Sequence, residues 1–384
     1  MFALRCEKIF DGEVWLQDHA VLVQGGNISA LLSGNAIPTQ VQTQVLGDGY
    51  LVPGFVDLQV NGGGGLMLNS APEMATVECM ARAHRGRGTT ALLPTVISDR
   101  RAVYAAAVEA VVAAREAGHP GILGLHIEGP FFAPARRGAH RKEMIRQISC
   151  GDIAWLCEQA RRLPLLLTLA PECCSPEHIR QLSAAGIRVC AGHSEASFAQ
   201  VQSALRAGLS GFTHLYNAMS PLTAREPGMV GAALADENSW VGIIADGHHV
   251  HAASLKVAHR AKAAGRLYLV SDAMATVGAS EAAFEIYGES ICERDGRLVN
   301  REGNLAGSAI GLADAVRYCH REVGLPLAEC LRMASLYPAS FLGLQHSLGR
   351  LAAGVPANLT WLDDELQVRQ TWLAGDTRNH PPNP

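Results

Sequence analysis

The chain is poor in aromatic residues, 5% of 384, and contains only four lysines, Lys8, Lys142, Lys256 and Lys262. Sparse aromatics leave no base-stacking surface, and no block of basic residues stands out to follow a phosphate backbone, so nucleic acid is not an expected partner. No stretch approaches the roughly 20 apolar residues of a membrane helix. The opening MFALRCEKIFDGEVW carries charges where a secretory signal needs an apolar run. A disulfide framework is also missing. Ten cysteines are scattered from Cys6 to Cys330 without a C-x-x-C pair, and the adjacent Cys173 and Cys174 fit no zinc knuckle. They read as reduced, packed thiols. With 48% hydrophobic and 18% charged residues and a net charge of −4, disorder is excluded. These absences predict a soluble, cytoplasmic protein with no membrane partner, built as one large domain or two ordinary ones.

Eight short apolar runs follow: 51–60, 88–96, 121–129, 164–171, 186–194, 211–217, 240–247 and 266–273. Their nearly continuous Val, Leu and Ile content is that of strands buried on both faces of a parallel sheet. Ala-rich segments with helical periodicity separate most of them, for example 72–87, 100–118, 197–208 and 252–265. The pattern predicts an α/β fold, a (β/α)₈ TIM-type barrel over residues 53–346; a doubly wound open sheet is the alternative, disfavoured by the strand count. Both chain ends alternate instead and carry turn signals, which predicts a small β-sandwich domain from residues 1–52 and 347–384. Residues 279–305 read as a β-hairpin excursion, 308–342 as two helices, Gly62–Gly65 as a flexible turn, and the NHPPNP tail as disordered.

Barrel enzymes place their chemistry at the C-terminal ends of the strands. Here the apolar runs end in Gln59 and Asn61, His126 and Glu128, His193, His214 and Asn217, and Asp272, with Asp246, His248, His249 and His251 after the seventh. Each residue alone has an ordinary reading, a hydrogen-bonded histidine or a carboxylate paired with arginine. Their gathering at one end is what singles them out. Two imidazoles and a carboxylate, His193, His214 and Glu128, form a zinc set with an open position, which lowers the pKa of bound water to about 7. Asp272 is placed to take and return a proton. His126 shares the strand face of Glu128 and reads as lying behind it.

In order and spacing, PGFVDLQVNGGGG (53–65), HIEGPF (126–131), RRGAH (136–140), AGHSEAS (191–197), THLYNAM (213–219), REPGMVG (225–231), ADGHHV (245–250), SDAM (271–274) and LAGS (305–308) resemble the N-acetylglucosamine-6-phosphate deacetylase family of the amidohydrolase superfamily, over essentially the whole chain. The resemblance implies hydrolysis of the acetamide of N-acetylglucosamine 6-phosphate to glucosamine 6-phosphate and acetate. It implies Glu128, His193 and His214 as metal ligands, Asp272 as general base and then acid, and His140 as the group that bonds the acetamide carbonyl and its oxyanion. It implies Asn217, Ala218, Arg225 and His249 as substrate-binding residues, with Arg225 reaching the neighbouring active site of a homodimer or homotetramer.

One departure from the wider superfamily matters. Many amidohydrolases carry His-x-His at the end of strand one, and here it is Gln59-x-Asn61, two amides that bind zinc weakly. The fourth run also lacks the lysine that bridges two metals. Both points predict one divalent metal per chain, zinc by ligand type, with Fe, Co or Mn fitting the same set, and place Gln59, Asn61 and His126 around it rather than on it. Three rival readings stand beside the first: the N-acetylgalactosamine 6-phosphate isomer, a non-catalytic sugar-phosphate sensor, and a phosphosugar isomerase or aldolase. The last lacks a strand-end lysine.

Overall fold

All eight apolar runs become parallel barrel strands: β1 (Phe55–Val60), β2 (Thr89–Ile97), β3 (Leu125–Glu128), β4 (Leu165–Leu169), β5 (Arg188–Ala191), β6 (Gly211–Phe212), β7 (Trp240–Ile244) and β8 (Leu267–Val270). The computed structural model describes residues 1–303 and 305–377. The strands pair in sequence order from β1 to β8. The ring closes just past the strand ends, where Val60 bridges Ala273 in parallel. There the Asp272 N–H donates to Gln59 O at 3.0 Å and the Asn61 N–H to Ala273 O at 2.9 Å. Nearly every strand residue is buried, because helices cover the outer face and side chains fill the inner one.

A helix covers each crossover: α1 (Met74–Arg85), α2 (Arg101–Glu116), α3 (Cys150–Gln159), α4 (Pro176–Ala184), α5 (Phe198–Arg206), α6 (Gly228–Ala235) and α7 (Ala252–Ala261). Local chemistry sets several starts. Ser149 and Asp152 form a capping box on α3, Ser197 and Gln200 one on α5, and the Ser175 hydroxyl caps α4.

The two chain ends meet in one seven-stranded sheet. Strand Leu359–Leu362 runs antiparallel to Tyr50–Pro53, which continues through Gly54 directly into β1. The first strand, Phe2–Phe10, pairs with Gln42–Val45 along one half and with Tyr50 and Leu51 along the other. Leu4, Ile9, Val21, Leu51, Leu359 and Trp372 share the core of this sheet. Two buried threonines fasten it to the junction between α1 and β2: Thr360 donates to Gly88 O at 2.9 Å and Thr371 to Arg85 O at 3.0 Å.

Three local expectations are corrected. The excursion after β8 has three strands, Ala283–Ile286, Glu289–Arg294 and Arg297–Val299, because Tyr287-Gly288 and Asp295-Gly296 each adopt paired left-handed turns. The C-terminal segment holds three helices, Leu312–Arg321, Leu327–Ala334 and Leu336–Leu342, the last two parted where Ser335 leaves the helical region at φ −133°. Gly62–Gly65 is no loose turn. Gly62 and Gly63 pair with Met67 and Leu66, and the Gly64 and Gly65 N–H groups donate to Val277 and Ala275. A Cβ on Gly62 would stand 2.5 Å from Leu66 O, so glycine is required there. The NHPPNP tail lies outside the described residues.

Candidate active site

Backbone geometry at the strand ends aims the polar side chains. His193, His214 and Asp272 each lie two residues past the last residue of β5, β6 and β8, and all three are left-handed, with φ of 51°, 33° and 52°. Such a conformation costs a non-glycine residue on the order of 1 kcal/mol or more, and this kind of strain clusters at functional sites. Glu128 is the last residue of β3.

The three expected ligands converge. Glu128 Oε1 lies 3.3 Å from His193 Nε2 and 3.1 Å from His214 Nε2, and the two nitrogens are 3.0 Å apart. A tetrahedral ion with ligands at about 2.0 Å would hold them about 3.3 Å from one another, so the triangle fits a divalent cation. His193 Nδ1 donates to Arg136 O at 2.8 Å, which leaves its Nε2 lone pair facing the centre. Burial raises the Glu128 carboxyl, but the histidines that face it outweigh this and hold the group well below the usual range. A full negative charge is thus available to a cation. His140 stands close by, its ligand atom within 4.8 Å of those of Glu128 and His193.

Asp272 faces this triangle. Its Oδ1 accepts from Asn61 Nδ2 at 2.7 Å and Gln59 Nε2 at 3.1 Å, and Gln59 Nε2 also lies 3.0 Å from both Glu128 oxygens. Gln59 therefore bridges the two carboxylates, while Asn61 serves Asp272 alone. Burial and the charge of Glu128 push the Asp272 carboxyl up to about 6. His126 turns away: its Nε2 meets Thr168 Oγ1 at 2.7 Å in the barrel interior, and burial pushes it down to about 4, so the ring is neutral. Burial, with the neighbouring His193, pushes His140 down to about 3.

A cavity of about 190 Å³ is lined by Glu128, His193, His214, Asp272, His140 and Asn61 together with Asn217, Ala218 and His249. His249 Nδ1 donates to Asp246 Oδ2 at 2.6 Å, which orients its Nε2. Arg225 is not in this cavity. It lies exposed, and none of the described residues bonds or pairs with its side chain. Nor does Glu226 engage it, since that carboxylate accepts the Phe198 and Gly228 N–H groups at 2.8 and 2.9 Å. Leu305 and Gly307, from the LAGS motif, also line the cavity, a placement the motif alone did not disclose.

Residues 50–380 match the Amidohydrolase family, and residues 1–49 match the NagA composite domain. The chain belongs to the amidohydrolase family. A Shewanella N-acetylgalactosamine-6-phosphate deacetylase is 46% identical over 86% of this amidohydrolase and 84% of the relative. A Vibrio furnissii N-acetylglucosamine-6-phosphate deacetylase is 35% identical over 97% of this chain and 93% of the relative. The crystal structure of the Pasteurella multocida N-acetylglucosamine-6-phosphate deacetylase superposes with a TM-score of 0.94 at 36% identity, covering 97% of this chain and 98% of that one.

Sequence reasoning missed Asp57, hidden inside the apolar run VDLQV of the amidohydrolase's β1. Its Oδ1 accepts the Ser271 N–H at 3.2 Å and the Gln59 N–H at 3.3 Å, while its buried Oδ2 has no hydrogen-bond partner among the described residues. Burial pushes this carboxyl up to about 7. The unfolded chain ionises it near its ordinary value, so this group's contribution falls as pH rises from about 4 to about 7 and is level above that. Asp57→Asn removes the penalty. Denaturation of both proteins at pH 5 and pH 8 should show the variant gaining up to about 3 kcal/mol relative to the parent between the two. A pH-independent difference would contradict the assignment.

Proposed function

We propose that this amidohydrolase removes acetate from a 6-phosphorylated N-acetylhexosamine, N-acetylglucosamine 6-phosphate in the first instance. The observation that carries the reading is the Glu128–His193–His214 triangle facing Asp272 across one small buried cavity. A divalent cation held by the triangle, zinc by ligand type, would supply Lewis-acid activation of water and of the carbonyl. Asp272 takes the proton from the attacking water. Its Oδ1 is held by Asn61 and Gln59, which leaves Oδ2 to receive that proton. As the C–N bond breaks, the same proton passes to the amine nitrogen; the remaining hydroxyl proton of the acid product goes to the freed amine, so that the products are acetate and the ammonium form of the sugar. His140, kept neutral by burial, donates a hydrogen bond to the carbonyl oxygen as charge develops there.

The sugar phosphate falls to Asn217, Ala218, His249 and Arg225. Among the described residues no lysine or arginine lines the cavity, yet a dianionic phosphate calls for a guanidinium fork. An exposed, unpaired Arg225 is suited to meet the phosphate of a second copy, which supports a homodimer or homotetramer. Ten free thiols and no helix, among the described residues, long and apolar enough to cross a membrane are compatible with a cytoplasmic setting. The 46% identical Shewanella relative favours a second reading, the galactosamine isomer; the Gln59-x-Asn61 pair is familiar in the glucosamine group.

Acetate release from the two isomers, compared as kcat/KM, tests both readings. Turnover of neither would overturn the proposal. Asp272→Asn should retain the metal and lose at least about 100-fold in kcat; near-normal turnover would remove Asp272 from its role. Arg225→Ala should mainly raise KM for the phosphorylated sugar and barely affect an analogue lacking phosphate. An equal effect on both would show that Arg225 does not serve the phosphate.

A further inference from the structure

Backbone groups can fix an imidazole tautomer, because a peptide N–H only donates and a carbonyl only accepts. Two neighbouring histidines of this site meet opposite groups. His193 Nδ1 faces the Arg136 carbonyl, so its proton sits on Nδ1 and its lone pair on Nε2. His140 Nδ1 instead receives the peptide N–H of Ser98 at 3.2 Å and lies 2.7 Å from the Ser98 hydroxyl. That nitrogen must be the acceptor. The hydroxyl then donates to it as well, and the proton of the neutral ring is on Nε2.

We infer that Ser98 is a positioning residue that fixes His140 as the Nε2–H tautomer, which makes it a hydrogen-bond donor to the reacting oxygen and bars it from metal ligation. The exclusion is not trivial. The ligand atoms of Glu128, His140 and His193 lie within 4.8 Å of one another, and Ser98 occupies Nδ1 of His140, so a lone pair on the remaining nitrogen would be the one free to serve a cation as a further ligand and close the open position a catalytic site needs. A protonated Nε2 has no lone pair to offer.

Ser98 is held in its turn. It is fully buried, the first residue past β2. Its carbonyl accepts the Tyr287 hydroxyl at 2.8 Å, and Asn69 Nδ2 reaches the same phenol oxygen at 3.3 Å. Tyr287 sits at the left-handed turn between the first two strands of the excursion, with the Arg141 guanidinium over its ring at 5.4 Å. The excursion thus braces the serine that sets the histidine.

The catalytic part of this inference rests on the deacetylase reading; the tautomer does not. Nitrogen NMR of the full chain labelled with ¹⁵N-histidine, metal-free and zinc-loaded, tests it, with His140→Gln identifying the resonances. The expected result is an Nε2-protonated His140 in both states. Ser98→Ala should shift its Nδ1 resonance and lower kcat about tenfold with KM within about threefold, and Ser98→Thr should restore both. Tyr287→Phe, which keeps the serine, should act in the same direction more weakly. A wild-type His140 protonated on Nδ1, an unchanged kcat in Ser98→Ala, or a lowered kcat with unmoved nitrogen resonances would overturn the inference. If the wild type releases no acetate from either sugar, the deacetylase reading fails separately, and the nitrogen spectrum still decides the role of Ser98.

Discussion

A carboxylate that stays ionised in a buried barrel mouth is the constraint on which this structure turns. Glu128 is buried beyond the reach of bulk water, so its charge survives only through the groups that face it. The His214 imidazole and the Gln59 amide supply them at 3.1 and 3.0 Å. Burial together with that same charge lifts the neighbouring Asp272 toward neutrality. One carboxylate held ionised and its neighbour poised near 6 are a division of labour: the first suits a cation, the second suits proton transfer near physiological pH. Binding a cation would relieve part of the repulsion between them.

Barrel closure delivers that arrangement. Asp272 lies on the eighth strand's extension and Gln59 on the first strand, so only a closed ring brings them together. The seam is a backbone hydrogen bond between these two residues. Their side chains meet directly above it, Gln59 Nε2 to Asp272 Oδ1. The small sheet contributes from the opposite end, anchoring the entry to β1 and the junction between α1 and β2. Scaffold rigidity below and strained left-handed residues above are complementary, since strain persists only where surrounding structure over-determines it.

The barrel was legible because buried parallel strands read as apolar runs, and all eight runs hold strands. The cluster was legible because Glu128, His193, His214 and Asp272 interrupt that apolar pattern at a common end. Other features carry no such mark. Asp57 points inward from the middle of a run, and a single acid in VDLQV looks like an outward-facing residue. Ser98 is a common residue whose importance lies in its backbone N–H as much as its side chain. The three left-handed non-glycine residues have no sequence signal at all. Arg225 marks a different boundary: it lies exposed and outside the cavity, and only the family resemblance, not the pattern of the strands, singled it out.

The central claim is that Glu128, His193 and His214 make one cation site while the amides Gln59 and Asn61 serve the carboxylates instead of a second ion. The most direct test is metal content and zinc titration of the metal-stripped protein, by elemental analysis and calorimetry. The account predicts close to one tightly bound equivalent per chain, lost on His193→Ala. Two tight equivalents, or undiminished binding in that variant, would contradict it.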